Sequence, residues 1–69
     1  MQLHQLLRFI KSGTPIVLFD IMGVEICNVR TKEDINIDLY EETIHDIGIM
    51  FNKSDSDKKD RSLSITLYK

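Results

Sequence analysis

Ile16-Val17-Leu18-Phe19 is an unbroken apolar run, preceded by Pro15 and closed by Asp20. Proline cannot continue a helix but is tolerated at the start of a strand, and a strand without polar alternation must be buried on both faces. In a chain of 69 residues this is the tightest constraint, because a domain of that size has a core barely large enough to fold unaided. The run has to lie inside a sheet. Both faces of that sheet then need cover.

Composition agrees with a sheet-rich domain. Ten isoleucines and no alanine favour a pleated surface over helix. A chain that is 42% hydrophobic and 29% charged with a net charge of -2 reads as one soluble globular domain over 1–69; it excludes a disordered or fibrous chain, a multi-domain enzyme and a general nucleic-acid binder. Cys27 is the sole cysteine, so no internal disulfide or multi-cysteine metal site exists, and a reducing cytoplasm is the expected compartment. No export signal and no apolar stretch of membrane-spanning length is expected.

Leu3, Leu6, Leu7 and Ile10 recur at the spacing of one helical face, which predicts an amphipathic helix over 2–12 with Gly13 as its cap. Asp20-Ile21-Met22-Gly23 can turn the chain, returning Val24 to Arg30 as the second arm of a hairpin. Ile21 and Met22 are unusual turn residues that either fold onto the core or form an exposed knob. In 31–43, Ile35, Ile37 and Leu39 alternate as in a strand, while Asp38-x-x-Glu41 has capping-box spacing; extended chain followed by one helical turn is expected. Ile44 to Phe51 predicts a third strand, with Gly48 marking a bulge or close approach. The ten residues 52–61 contain no apolar side chain and predict a mobile hairpin loop. Ser62 to Tyr68 alternates cleanly and predicts a final antiparallel strand.

The expected fold is α+β: an N-terminal helix packed on a four-stranded, mainly antiparallel sheet made of two hairpins, with a short helical turn in the connector. One helix covers one face. Residues 35–44 or a second copy of the chain would cover the other.

Charge is sorted along the chain. Glu33, Asp34, Asp38, Glu41, Glu42 and Asp46 fall within 33–46 without any Lys or Arg, whereas the segments on either side carry an excess of basic residues. So dense a block either forms a solvated face or meets a basic partner. On the second reading these six carboxylates, with Tyr40 as an aromatic anchor, dock on a basic protein surface such as a nucleic-acid-binding groove. On the first, the Tyr40 ring lies over the core with its hydroxyl wet.

Two other classes compete. His4, Arg8 and Lys11 at i, i+4 and i+7, with Lys53, Lys58, Lys59 and Arg61, could touch phosphates in a small nucleic-acid-binding regulator. An apolar strand face or the edge strand ending at Tyr68 could pair copies of a structural homo-oligomer. No cofactor, metal or catalytic site is expected. Asp55, Asp57 and Asp60 resemble the start of a calcium loop but lack its Gly and closing Glu, and His4, His45 and Asp46 have no zinc spacing. Cys27 with His45 is the sole nucleophile and base pairing, and Cys27 sits in an apolar strand where thiols are inert.

The order Leu3-His4-Gln5-Leu6-Leu7-Arg8-Phe9-Ile10-Lys11, then Thr14-Pro15-Ile16-Val17-Leu18-Phe19-Asp20 and a Gly-centred turn, resembles the small accessory proteins encoded by phages and mobile elements of Gram-positive bacteria. The resemblance covers about the first 30 residues and continues loosely through the later strands. Some small phage proteins of this size and acidity inhibit host defences, among them anti-CRISPR proteins that bind the effector nuclease. The resemblance implies a non-enzymatic inhibitor acting in the host cytoplasm, its segment 33–46 facing a basic groove.

Overall fold

A computed structural model describes residues 1–51 and 61–69. The polar segment expected as a hairpin loop lies outside the described residues from 52 to 60. Four strands form one sheet: β1 (Ile16–Phe19), β2 (Glu25–Val29), β3 (Ile44–Phe51) and β4 (Arg61–Leu67). Their spatial order is β2-β1-β4-β3.

Both expected antiparallel pairs are present, β1 with β2 and β3 with β4. They meet through a parallel pairing of β1 with β4, in which Ile16, Val17, Leu18 and Phe19 oppose Leu63, Ser64, Ile65 and Thr66. The sheet is therefore mixed, not mainly antiparallel. The reason lies in the connector between β2 and β3: a link of a dozen or more residues can carry the chain across a sheet face, so the second hairpin returns with β4 against β1. This places β4, expected as an edge strand ending at Tyr68, in the centre of the sheet beside β1.

The N-terminal helix is shorter than the leucine spacing implies. Helix α1 spans Leu3–Leu7, less than two turns, rather than 2–12. Its first amides bond to the connector, Leu3 N–H to the Glu42 carbonyl and His4 N–H to the Tyr40 carbonyl, both at 2.9 Å. At its other end Lys32 Nζ donates to the Leu7 carbonyl at 2.8 Å, and Phe9 and Ile10 close tighter turns onto Leu6 and Leu7. The Glu42 and Tyr40 carbonyls satisfy amides that every helix start leaves free, and at the Leu7 end the Lys32 ammonium and the tighter turns take the carbonyls that a continued helix would have bonded.

The connector holds two 3-10 turns, Lys32–Asp34 and Ile37–Leu39, rather than a single helical turn. The second is capped by Asn36, whose side chain accepts the Asp38 N–H at 2.9 Å; the Asp38-x-x-Glu41 box is not the cap. Ile35 and Leu39 turn into the core and leave Ile37 71% exposed.

Leu3, Leu7 and Ile10 join Ile35 and Leu39 over Ile16, Leu18, Ile65 and Leu67 in one buried cluster. The connector thus lies on the same face as α1 and does not cover the opposite one, as an expectation had it. On that face Val17 is 4% exposed between Asn28 and Ser64 on the neighbouring strands, and Phe19 is half-buried.

The β1–β2 turn is the expected one. Asp20 Oδ1 accepts the N–H groups of Met22 and Val24 at 2.9 Å, Gly23 has φ +89, and Ile21 and Met22 form an exposed knob. Gly48 marks no bulge and no close approach, since a Cβ there would meet nothing within 4 Å. The bulges fall elsewhere, at His45 in β3 and beside Phe19 in the first hairpin. No helix among the described residues is long and apolar enough to cross a membrane.

Candidate functional site

The six carboxylates of 33–46 do not gather into one patch. The 3-10 turns and the start of β3 send them to three places.

Glu33 is engaged by the chain itself. Its carboxylate accepts Thr31 Oγ1 at 2.5 Å and Ser12 Oγ at 2.7 Å, while Thr31 Oγ1 also accepts the Gly13 N–H at 3.0 Å. This network ties the segment after α1 to the segment after β2. The Thr31 hydrogen bond, then that of Ser12, holds the Glu33 carboxyl below its ordinary value of 4.5. Because hydrogen bonds to the charged form favour it, their contribution is present above pH 4.5 and is lost as pH falls through the lowered folded value. Across that acid window the stability of the wild type should fall relative to Glu33→Gln; parallel acid titrations by circular dichroism would show it as a wild-type advantage at pH 6 that shrinks by pH 3.

Glu42 and Asp46 lie toward the sheet. Glu42 pairs with Lys69 at 3.7 Å on the surface, a contact of small energetic weight. The Asp46 carboxylate accepts the N–H of Ile47 at 2.9 Å. Asp34 is exposed at the end of the first 3-10 turn.

Asp38, Tyr40 and Glu41 do come together. With His4 and the exposed Ile37 they line a shallow cavity of about 600 Å³. His4 and Tyr40 are also walls of an adjoining cavity of about 220 Å³, whose other lining residues are Leu7, Arg8, Lys32 and Glu33. Tyr40 is half-buried against the core cluster, and its carbonyl is the acceptor for His4 N–H. The α1–connector hydrogen bonds therefore set the two walls against each other. The result is two neighbouring concavities that share His4 and Tyr40, one bordered by Asp38 and Glu41 and the other by Arg8, Lys32 and Glu33.

Sequence reasoning pointed to the acidic rim and missed the basic one. Arg8 stood in a separate helical face with His4 and Lys11, but α1 stops at Leu7, so that face is not built. Lys32 carried no sequence signal, because its place depends on the bond to the Leu7 carbonyl. Lys53, Lys58 and Lys59 lie outside the described residues.

The Cys27 and His45 pairing is not assembled. They sit on β2 and β3, the two edges of the sheet, three strand spacings or about 14 Å apart. Burial, and then the negative charge of Glu25, pushes the Cys27 thiol up, away from the nucleophilic thiolate. His45 instead stacks on Tyr68, ring centroids 4.7 Å apart. Among the described residues no group of three or more His, Cys, Asp or Glu could hold a metal ion; Asp55, Asp57 and Asp60 lie outside them. No protein-family model, curated protein or solved structure matches this chain.

Proposed function

We propose that the chain is a non-enzymatic protein-binding module that docks through the groove around His4 and Tyr40, presenting Asp38 and Glu41 to a basic surface of its partner. The observation that carries this reading is the composition of the acidic end: Ile37, Asp38, Tyr40 and Glu41 border one concavity, with Ile37 71% exposed. An exposed aliphatic side chain and an aromatic wall supply contact area, and flanking carboxylates steer and orient a cationic partner. Glu33, Asp34, Glu42 and Asp46 add to the long-range negative field without lining this end.

In its specific form the partner is a nucleic-acid-binding nuclease of a bacterial host, and the module is a phage-encoded inhibitor that occupies the nuclease's basic groove. Support for that form comes from the resemblance in element order and from the acidic rim. Binding of this kind needs no cofactor.

The test uses the tagged full chain and host lysate. A captured basic protein should be displaced by added polynucleotide and by salt, and the double variant Asp38→Asn, Glu41→Gln should retain at least about tenfold less of it, as expected when charges central to an interface are neutralised. Both side chains are exposed, so the melting temperature should stay within about 2 °C of the wild type. Equal capture by the variant, or capture indifferent to polynucleotide, overturns the reading.

A further inference from the structure

β3 is an edge strand, and along Asp46 to Phe51 no described residue pairs with its outer side. The Ile44 N–H points outward, to the Met1 carbonyl at 2.8 Å. The bulge at His45 then shifts the alternation by one residue, so the outward-facing backbone groups of the following stretch belong to Ile47 and Ile49. The Asp46 carboxylate takes up the Ile47 N–H at 2.9 Å, a contact that an added strand has to exchange for one of its own carbonyls.

The side chains of the same two residues lie on the face of the sheet that carries the core, opposite Ile65 and Leu63. They are nevertheless 45% and 61% exposed, because the layer made by α1 and the connector does not extend over them. The other edge differs in kind. β2 exposes Glu25 and Asn28, with Arg30 just beyond, and charge on an edge opposes strand addition. From residue 47 to 51 β3 reads Ile-Gly-Ile-Met-Phe, with no charge at all.

We propose that this edge pairs with the same edge of a second copy of the chain, the two β3 strands running antiparallel about a two-fold axis at Gly48 and joining two four-stranded sheets into one of eight strands. The pairing is self-complementary, as an isologous interface requires. Ile47 falls opposite the second copy's Ile49, and Ile49 opposite its Ile47, on the exposed apolar face. Asp46 falls opposite Met50 and not opposite a second Asp46, so no like charges are brought together. A slip of one residue would send the isoleucines of one copy to the other face of the joined sheet. Gly48 on the axis brings no side chain between the strands, and space on its own side is open. The edge matches itself in this register, isoleucine on isoleucine with no charge on charge, which is the ground for a second copy as its occupant. The surface is separate from the His4–Tyr40 groove, so either proposal can stand without the other.

Sedimentation of the full chain should give twice the 8.0 kDa chain mass at micromolar concentration. Ile47→Lys and Ile49→Lys should each raise the dimer dissociation constant about a hundredfold or more, since every substitution enters a two-fold interface twice. Their circular dichroism spectra should stay those of the folded wild type, because both side chains are exposed in the monomer. Gly48→Cys in a Cys27→Ser background should crosslink copies under mild oxidation, since the two-fold sets the paired residues at disulfide distance. A single-chain mass at every concentration overturns the proposal, as does a dimer indifferent to Ile49→Lys. A dimer that Gly48→Cys does not crosslink overturns the axis and with it the proposed pairing.

Discussion

Leu18→Ala is expected to destabilise the domain by about 3–4 kcal/mol, the range for a leucine removed from a site that cannot collapse around the loss. Leu18 is fully buried in the central strand, with Cys27 and Ile65 beside it on β2 and β4 and the α1 and connector residues above it. A domain of this length has a total stability of about 3–10 kcal/mol, so at least about a third of the margin goes. Thermal unfolding should shift down by about 15–25 °C, at about 4–8 °C per kcal/mol. Leu18→Met preserves volume and should cost less than about 1.5 kcal/mol. Equal melting temperatures for the alanine variant and the wild type would mean that the core is not built around β1.

Gly23→Val is expected to cost about 2 kcal/mol, the strain of holding a β-branched residue in a left-handed backbone conformation. The turn requires that conformation: Gly23 N–H bonds to the Asp20 carbonyl and Asp20 N–H to the Val24 carbonyl, both at 2.9 Å, with Gly23 at φ +89. A Cβ at this position would meet nothing within 4 Å, so crowding is not the cause. Gly23→Asn separates the two explanations, because asparagine tolerates positive φ. Its denaturation midpoint should lie close to the wild type, with the valine variant well below both.

The groove changes what the charge distribution means. Read along the chain, residues 33–46 form an acidic block set between basic flanks. Folded, Lys32 and Arg8 line a cavity next to the one that Asp38 and Glu41 border, and Glu33, on the wall of the first, is held by Thr31 and Ser12. Neutralising Asp38 and Glu41 is therefore the informative change for partner binding, and neutralising Glu33 is a change in acid stability.

Local signals in the residues determined much of the fold. The apolar run after Pro15, the Gly23 turn, the strand over Ile44 to Phe51 and the alternation of Leu63, Ile65 and Leu67 each depend on a backbone preference or a period of two, which a few neighbouring residues settle. The expected α+β class and both hairpins followed from them. The tertiary structure decided what depends on distant partners. Helix α1 stops at Leu7, where the Lys32 ammonium takes the Leu7 carbonyl and Phe9 and Ile10 close tighter turns, while the Glu42 and Tyr40 carbonyls hold its start against the connector. β4 lies parallel to β1 because the connector carries the chain across one face, and no short-range pattern encodes which edge a returning hairpin will find. The candidate site shows the same division. Asp38, Tyr40 and Glu41 were legible as an acidic segment with an aromatic anchor, but the opposing wall of His4, Arg8 and Lys32 exists only because long-range hydrogen bonds bring α1 against the connector.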